Sequence, residues 1–317
     1  MRLGRAEADG RRGVRTSLAD VETGTPVVVG LSGGADSLAL VACAAFVADR
    51  DGHDVRAVVV DHRLQPGSAD VAARAAQQAT TLGVPASVVA VDVTGPGGPE
   101  AAARAARREA LQEAAGPAGV VLLAHTRDDQ AETVLLGLGR GSGPRSLAGM
   151  RAADGPWRRP FLGLRRCDTE AICRARDLTW WQDPHNLDPT FRRSRLRREV
   201  LPLLEDVLSG GVVEALSRTA DQLRDDADLL DSLAAAVDDA LDVPTLAGLP
   251  PALRSRVLRR NALAAGALAS ETAASHVAAL DRLVTAYDGQ DRVELPGGVC
   301  CRREGSSLRF GPTPVAG

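Results

Sequence analysis

Four nearly unbroken apolar runs punctuate the first 125 positions: PVVVGL (26–31), VRAVVVDH (55–62), ASVVAVDV (86–93) and GVVLLAH (119–125). They are rich in β-branched residues and hardly alternate with polar ones, as strands covered on both faces should be. Helical spacing fills the intervals at 36–49, 68–82, 99–115 (opening at Gly98-Pro99) and 128–138. Alternating strand and helix predicts an α/β fold with a parallel sheet and helices on both faces. Residues 139–166 break the rhythm with Gly, Pro and Arg, and read as a long loop with short elements. A helix at 167–178, the loop WWQDPHNLDPTF and an amphipathic helix begun by RRSRLRREVLPLLEDVL follow. Residues 211–240 and 251–285 look helical, and RVELPGGVCCRREGSSLRF reads as a small hairpin. The expected division is an N-terminal extension over 1–24, an α/β domain over 25–205 and a smaller, mostly helical domain over 206–317.

Composition narrows the chemistry. The 317 residues, 44% hydrophobic, suit a core-bearing domain plus a second, smaller one. No apolar run approaches the ~20 residues of a membrane span. The charged start MRLGRAEADGRRGVR is not followed by a signal-peptide core. A cytoplasmic protein without a membrane partner is expected. The five cysteines are odd in number and contain no CxxC pair, which gives little support to a disulfide scaffold or a zinc ribbon. All 38 basic residues are arginine, with no lysine. A Walker A loop and a Schiff-base lysine are therefore excluded, and any reacting amine must arrive with a substrate. The net charge of −3 is unevenly spread, with arginine in excess over 140–198 and acid in excess over 201–290. A basic band in a mildly acidic chain points to a polyanionic partner.

The first strand runs into Ser32-Gly33-Gly34-Ala35-Asp36-Ser37 and then into a helix. Glycines at such a turn let a ligand approach the backbone, and the helix N-terminus favours an anion. The hydroxyls of Ser32 and Ser37 add donors. This is a phosphate cradle without a lysine. Asp36 would repel phosphate unless a cation bridges them, and Mg²⁺ resolves the conflict. The plainer alternative makes Asp36 the N-cap of a tight turn. Past the fourth strand, His125 precedes Asp128, Asp129 and Glu132, whose spacing of three and four places them on shared helix faces. Such acids suit Mg²⁺, an ammonium group or both. As a solvated first turn they would simply favour the helix dipole. His125 at the carboxyl end of a sheet strand, where open α/β sheets bind ligands, favours the functional reading.

SGGADS matches the SGGxDS signature of the PP-loop ATP pyrophosphatase superfamily without a mismatch. AHTRDDQAET followed by Arg140-Gly141-Ser142-Gly143 and Leu147-Ala148-Gly149-Met150 resembles the AHHxxDQxET and RGsG…GLxGM pattern of the tRNA(Ile)-lysidine synthetases. VDHRL (60–64), EAAARAARR (100–108), RRPFL (158–162) and WWQDPHNLDPTFRRSRLRREVLPLLE (180–205) resemble further segments of that family. The departures are Thr126 for a second His, Arg63 for Gly, Gln182 for an acid, and Arg193-Ser194 for Arg-Asn. The resemblance implies a Rossmann-like PP-loop ATPase that adenylates O2 of the wobble cytidine in a CAU-anticodon tRNA(Ile), after which free L-lysine displaces AMP. It implies an ATP site at Ser32–Ser37 and Asp61, with Asp36 the Mg²⁺-side carboxylate. Asp129 and Glu132 would hold lysine ammonium groups, Arg104 the lysine carboxylate or AMP, and His125 a phosphate or the cytidine. The tRNA would meet Arg140, Arg145, Arg192, Arg193, Arg195 and Arg197, and a homodimer is expected.

Three rivals share parts of this pattern. A PP-loop tRNA thiolase shares the turn but needs a cysteine pair, and neither Cys167/Cys173 nor Cys300/Cys301 has the spacing. A dinucleotide oxidoreductase would carry GxGxxG rather than GLSGGAD. A non-catalytic nucleotide- or RNA-binding module leaves His125, Asp129 and Glu132 without a task.

Overall fold

The computed structural model describes residues 4–94, 98–140, 143–184, 188–237 and 241–314. Its first elements are α1 (Arg5–Ser17), β1 (Pro26–Leu31), α2 (Ala35–Asp51), β2 (Asp54–Asp61), α3 (Ser68–Thr81), β3 (Ala86–Ala90), α4 (Pro99–Ala115), β4 (Val120–Leu122) and α5 (Arg127–Arg140). After them come α6 (Pro144–Leu147), β5 (Ala153–Asp154), β6 (Trp157–Arg158) and α7 (Arg166–Ala175). α8 (Arg192–Arg195), a π-helical turn (Leu196–Val200) and α9 (Leu201–Val207) form one interrupted helical stretch. The chain continues through α10 (Val212–Ala235), α11 (Val243–Gly248), α12 (Pro251–Ala264), α13 (Ala274–Thr285), β7 (Val293–Leu295), β8 (Val299–Glu304) and β9 (Ser307–Pro312).

The first sheet has the order β3-β2-β1-β4-β6-β5, parallel except for β5. The apolar runs are continuous because both faces of the sheet are covered. Val27, Val29 and Leu31 join the core cluster that includes Leu38, Leu40 and Phe161, while Val28 packs with Val58, Leu111 and Trp157. The chain steps outward from β1 to β2 and β3, then returns to β4 on the other side of β1. That reversal opens a crevice beyond the carboxyl ends of β1 and β4, the usual ligand position in such sheets.

By compactness the described residues separate into two units, one made of those within 1–133 and 150–217 and one of those within 134–149 and 218–317. The first unit takes in the expected extension, because Val14 and Leu18 of that segment belong to its core. It also runs past residue 205, since the Glu205 carboxylate accepts the N–H groups of Val212 and Val213 at 3.2 and 3.1 Å. The second unit has its own core around Leu246, Leu258, Leu280 and Leu283. Its terminal strands, where a small hairpin was expected, form a three-stranded antiparallel sheet, β7-β8-β9. The helical stretch expected over 251–285 is two helices, α12 and α13.

Candidate active site

The turn after β1 is built from its own small residues. Gly33 has φ +81°, a left-handed conformation that glycine adopts without strain, and its carbonyl accepts the Trp181 N–H at 2.9 Å. The Ser32 N–H donates to Ser37 Oγ at 3.1 Å, and Ser37 Oγ donates to the Gly34 carbonyl at 3.0 Å. Gly34 is the N-cap of α2, with no side-chain cap. Asp36 is therefore spared from capping its own helix, contrary to the plainer alternative.

A cavity of about 390 Å³ opens beside this turn. Gly30, Ser32, Asp36 and Ser37 line one side, Asp61 to Gln65 another, and Leu123 to His125 a third. Its size falls in the range of small-ligand sites, roughly 300–1,000 Å³. Asp61 is buried and accepts the Arg63 N–H at 2.9 Å. Arg63 takes φ +54°, so the position where the resembled family has glycine keeps a left-handed backbone despite its side chain. Burial lowers the His125 pKa to about 4, and burial likewise lowers that of His62. Both imidazoles are thus neutral near pH 7, and each has a buried Nδ1 without a partner. Arg104 and Arg107 of α4 add positive field at His125.

Asp129 and Glu132 do not line that cavity. One guanidinium connects them to it. Arg166, at the start of α7, places Nη2 2.9 Å from Asp129 Oδ1 and 3.8 Å from Glu132 Oε1, with Nε 3.6 Å from Asp36 Oδ2. Arg197 reaches the same acids, Nε to Glu132 Oε1 at 2.8 Å and Nη2 to Asp129 Oδ1 at 3.4 Å. Arg197 was expected among the tRNA-facing arginines. Its guanidinium instead makes the nearer of two ion pairs to Glu132, a fully buried carboxylate whose desolvation it offsets together with Arg166. Asp128 pairs with Arg165 at 3.2 Å and accepts the Arg166 backbone N–H at 2.8 Å. A smaller recess of about 150 Å³ is lined by Asp128, Glu132, Arg165, Arg166 and Arg197 with Leu201 and Pro202.

Different forces win at the three acids. At Asp36, burial outweighs the Thr169 hydrogen bond and the charge of Arg166, and raises the pKa from 3.8 to about 6. Burial also raises Glu132 despite Arg197. At Asp129 burial is overcome by Arg166, the Thr126 N–H, His125 and Arg197, which hold it below the ordinary carboxylate range. Thr126 donates to Asp129 Oδ2 from both its N–H, at 2.8 Å, and its hydroxyl, at 3.0 Å. The residue that replaces the second histidine thus locks Asp129 at the start of α5. Among the described residues, these three carboxylates face two guanidiniums, which leaves a deficit of one positive charge.

The other expected contacts are scattered. Arg104 is exposed on α4, and Arg192 and Arg195 are exposed on α8. Arg195 pairs with Glu199 at 2.9 Å, and Arg193 is half-buried. Arg145 donates to both oxygens of Asp231 at 2.6 Å within the second unit. The Arg140 side chain, Gly141 and Ser142 lie outside the described residues, as do His185, Asn186 and Leu187 of the tryptophan loop. Sequence reasoning missed Arg166 and Thr169. Their only signal was position, within the arginine-rich band, and charge alone does not separate a paired guanidinium from a solvated one.

Comparison with known proteins fixes the family. Residues 11–204 match the PP-loop domain, and residues 241–308 match the TilS substrate binding domain. The tRNA(Ile)-lysidine synthase of Thermobifida fusca strain YX is 51% identical over 308 residues, spanning 94% of this chain and 95% of that protein. The enzyme of the same name from Mycobacterium tuberculosis strain H37Rv is 54% identical over 300 residues, 91% of this chain and 87% of that one. This chain belongs to the tRNA(Ile)-lysidine synthase family. It is accordingly a ligase of the PP-loop class with an ATP-using domain. The fold extends further: the U34-tRNA thiolase NcsA from Methanococcus maripaludis with its [4Fe-4S] cluster superposes with a TM-score of 0.57 at 18% identity, covering 69% of this chain and 78% of that one. At that identity the likeness concerns the fold alone.

Proposed function

We propose that the protein joins free L-lysine to C2 of the wobble cytidine in a CAU-anticodon tRNA(Ile), using ATP. The cytidine O2 attacks the α-phosphorus of ATP and pyrophosphate leaves. The lysine ε-nitrogen then attacks C2, the C2–O2 bond breaks, AMP departs carrying that oxygen, and the nitrogen loses a proton. The observation that carries this reading is the charge deficit beside the nucleotide cavity. Among the described residues, the guanidiniums that meet Asp36, Asp129 and Glu132 are those of Arg166 and Arg197, so one more cation is favoured there.

The residues divide the work between two ends of that group. The turn at Ser32–Ser37 offers backbone N–H groups and a helix N-terminus to the phosphates. Asp36 lines the cavity and contributes a single carboxylate; among the described residues no three His, Cys, Asp or Glu side chains converge as a metal cage. That donor set suits Mg²⁺, which takes one or two carboxylates with phosphate and water completing its shell. When bound, Mg²⁺ would offset charge on the departing pyrophosphate. Asp129 and Glu132 hold the lysine ammonium, and Glu132, its pKa already raised by burial, is suited to take the proton from the attacking amine. His125, neutral and with an unpartnered Nδ1, supplies a hydrogen bond without charge. Arg104 is the candidate for the lysine carboxylate or AMP.

The thiolase reading loses support from the thiols. Burial pushes Cys43, Cys173 and Cys301 up to about 12, so none is a ready thiolate. The deciding experiment incubates the protein with ATP, Mg²⁺, radiolabelled lysine and CAU-anticodon tRNA(Ile). Label in the tRNA, with lysine-dependent release of AMP, is expected. Absence of both with a correctly folded tRNA would overturn the proposal.

A further inference from the structure

α7 grips the first turn of α2 through two residues one turn apart. The Cys173 thiol donates to the Ala35 carbonyl at 3.3 Å. One turn earlier, the Thr169 hydroxyl makes a short hydrogen bond to Asp36 Oδ1. Thr169 is fully buried, and its oxygen also lies 2.8 Å from the Arg166 carbonyl, within α7. The hydroxyl has one proton for these two acceptors, so it reaches Asp36 Oδ1 from a position set by the buried turn of α7. The other oxygen, Asp36 Oδ2, stands 3.6 Å from Arg166 Nε, beyond a good hydrogen bond. Arg166 meanwhile spends Nη2 on Asp129.

We infer that Thr169 is a positioning residue for Asp36: its hydroxyl keeps the carboxylate on the wall of the nucleotide cavity and out of a closed pair with Arg166. The alternative arrangement is close at hand. A rotation of Asp36 toward Arg166 would give a forked guanidinium–carboxylate pair, which is geometrically favoured. That pair would withdraw the acid from the cavity and draw Arg166 away from Asp129. Thr169 therefore holds apart two groups that the reaction needs in different places. The inference rests on reading the cavity as the nucleotide site.

The test compares ATP affinity by calorimetry, with and without Mg²⁺, in the wild type and in Thr169→Val, Thr169→Ala and Thr169→Ser. The ratio of the two affinities is internal to each variant, so a loss of folded fraction does not move it. For Val and Ala the affinity in Mg²⁺ should fall about tenfold, the scale of one hydrogen bond to a charged group, with little change in metal-free buffer. Ser, which keeps the hydroxyl, should remain within about twofold of the wild type by the same reasoning. A wild-type Mg²⁺ ratio preserved in Val and Ala, or lost equally in Ser, would overturn the inference while leaving the nucleotide reading intact. A wild type that binds no ATP would instead overturn that reading, and the inference with it.

Discussion

Asp36 is a carboxylate held where ionisation is costly. Its pKa is raised from 3.8 to about 6, chiefly by burial. The folded state therefore binds the proton more tightly than the unfolded chain, so the associated stability is present below pH 3.8 and is lost as pH rises through about 6. A rise of that size is worth about 3 kcal/mol. In a chelating buffer, Asp36→Asn should raise the melting temperature at pH 7.5 and have little effect near pH 4; in the assay with ATP and Mg²⁺ it should abolish lysine incorporation. Parallel wild-type and Asp36→Asn melting curves across that range would contradict this account. Arg197 makes the opposite case. Removing it leaves Glu132, with no exposed surface, as a buried charge left with the more distant Arg166 guanidinium at 3.8 Å, a loss of about 3 kcal/mol at neutral pH. Because Glu132 already has a raised pKa, protonation relieves that charge, and the Arg197→Ala deficit in urea unfolding should shrink at pH 5. A deficit independent of pH would exclude the buried charge as its cause. The two arginines at this site also mark the limit of legibility. The acids stood out in the sequence because each sits at a fixed offset from a strand end. Arg166 and Arg197 looked like any other member of a basic band, since their partners come from α2 and α5, far away in sequence.

At the scale of elements, α7 carries both Arg166 and Thr169, and what seats α7 seats the site. One anchor is Glu7 of α1, buried, which accepts from Arg11 at 2.5 Å and from Arg176, just past α7, through Nε at 2.9 Å. Glu7→Gln leaves two guanidiniums facing a neutral amide and should cost about 3 kcal/mol, with Glu7→Ala costing more. Thermal unfolding checks this, and an unchanged melting temperature would mean that α7 is held by its apolar contacts alone. The sequence misjudged α1 for a physical reason. Its thirteen residues RAEADGRRGVRTS include four arginines and two acids, and look solvated until a partner 169 positions away from Glu7 is known. The β-strands were legible because a two-sided sheet demands continuous apolar runs, a purely local signal: β1 begins and ends where the pattern does. The break between α12 and α13 was not. Residues 265–273, AGALASETA, have no proline, and their turn depends on Gly266 at φ +104° with its carbonyl side packed near Gly297. Thr126 shows the same dependence on context, since its replacement of histidine gained meaning only when both its donors were found on Asp129.

For the molecule as a whole, the arginine excess is divided between charges already spent and charges still available. Arg166 and Arg197 are committed to acids in the first unit, and Arg145 to Asp231 in the second. Arg192 is exposed on α8, and Arg195 shares its charge with Glu199 on the same exposed face, a pairing that water and salt weaken. A tRNA bound by such groups releases one counterion for each phosphate neutralised, and the affinity falls with salt in proportion. The sequence placed Arg140, Arg145, Arg192, Arg193, Arg195 and Arg197 together as one interface, but among those whose side chains are described pairing distinguishes them. Arg192→Ala should weaken tRNA binding and reduce the slope of log affinity against log salt by about 0.7–0.9, the value of one phosphate contact. Arg145→Ala should reduce the slope by less than Arg192→Ala does, because Asp231, although it also accepts from Arg256 Nε at 3.0 Å, offsets part of that guanidinium's charge with both oxygens at 2.6 Å. Filter binding between 50 and 200 mM KCl, at roughly the ionic strengths where such slopes are read, separates the two variants. Equal slopes for Arg192→Ala and the wild type would remove α8 from the interface. A full unit lost in Arg145→Ala would mean that the RNA phosphate displaces Asp231, which requires that ion pair to be weaker than its geometry implies.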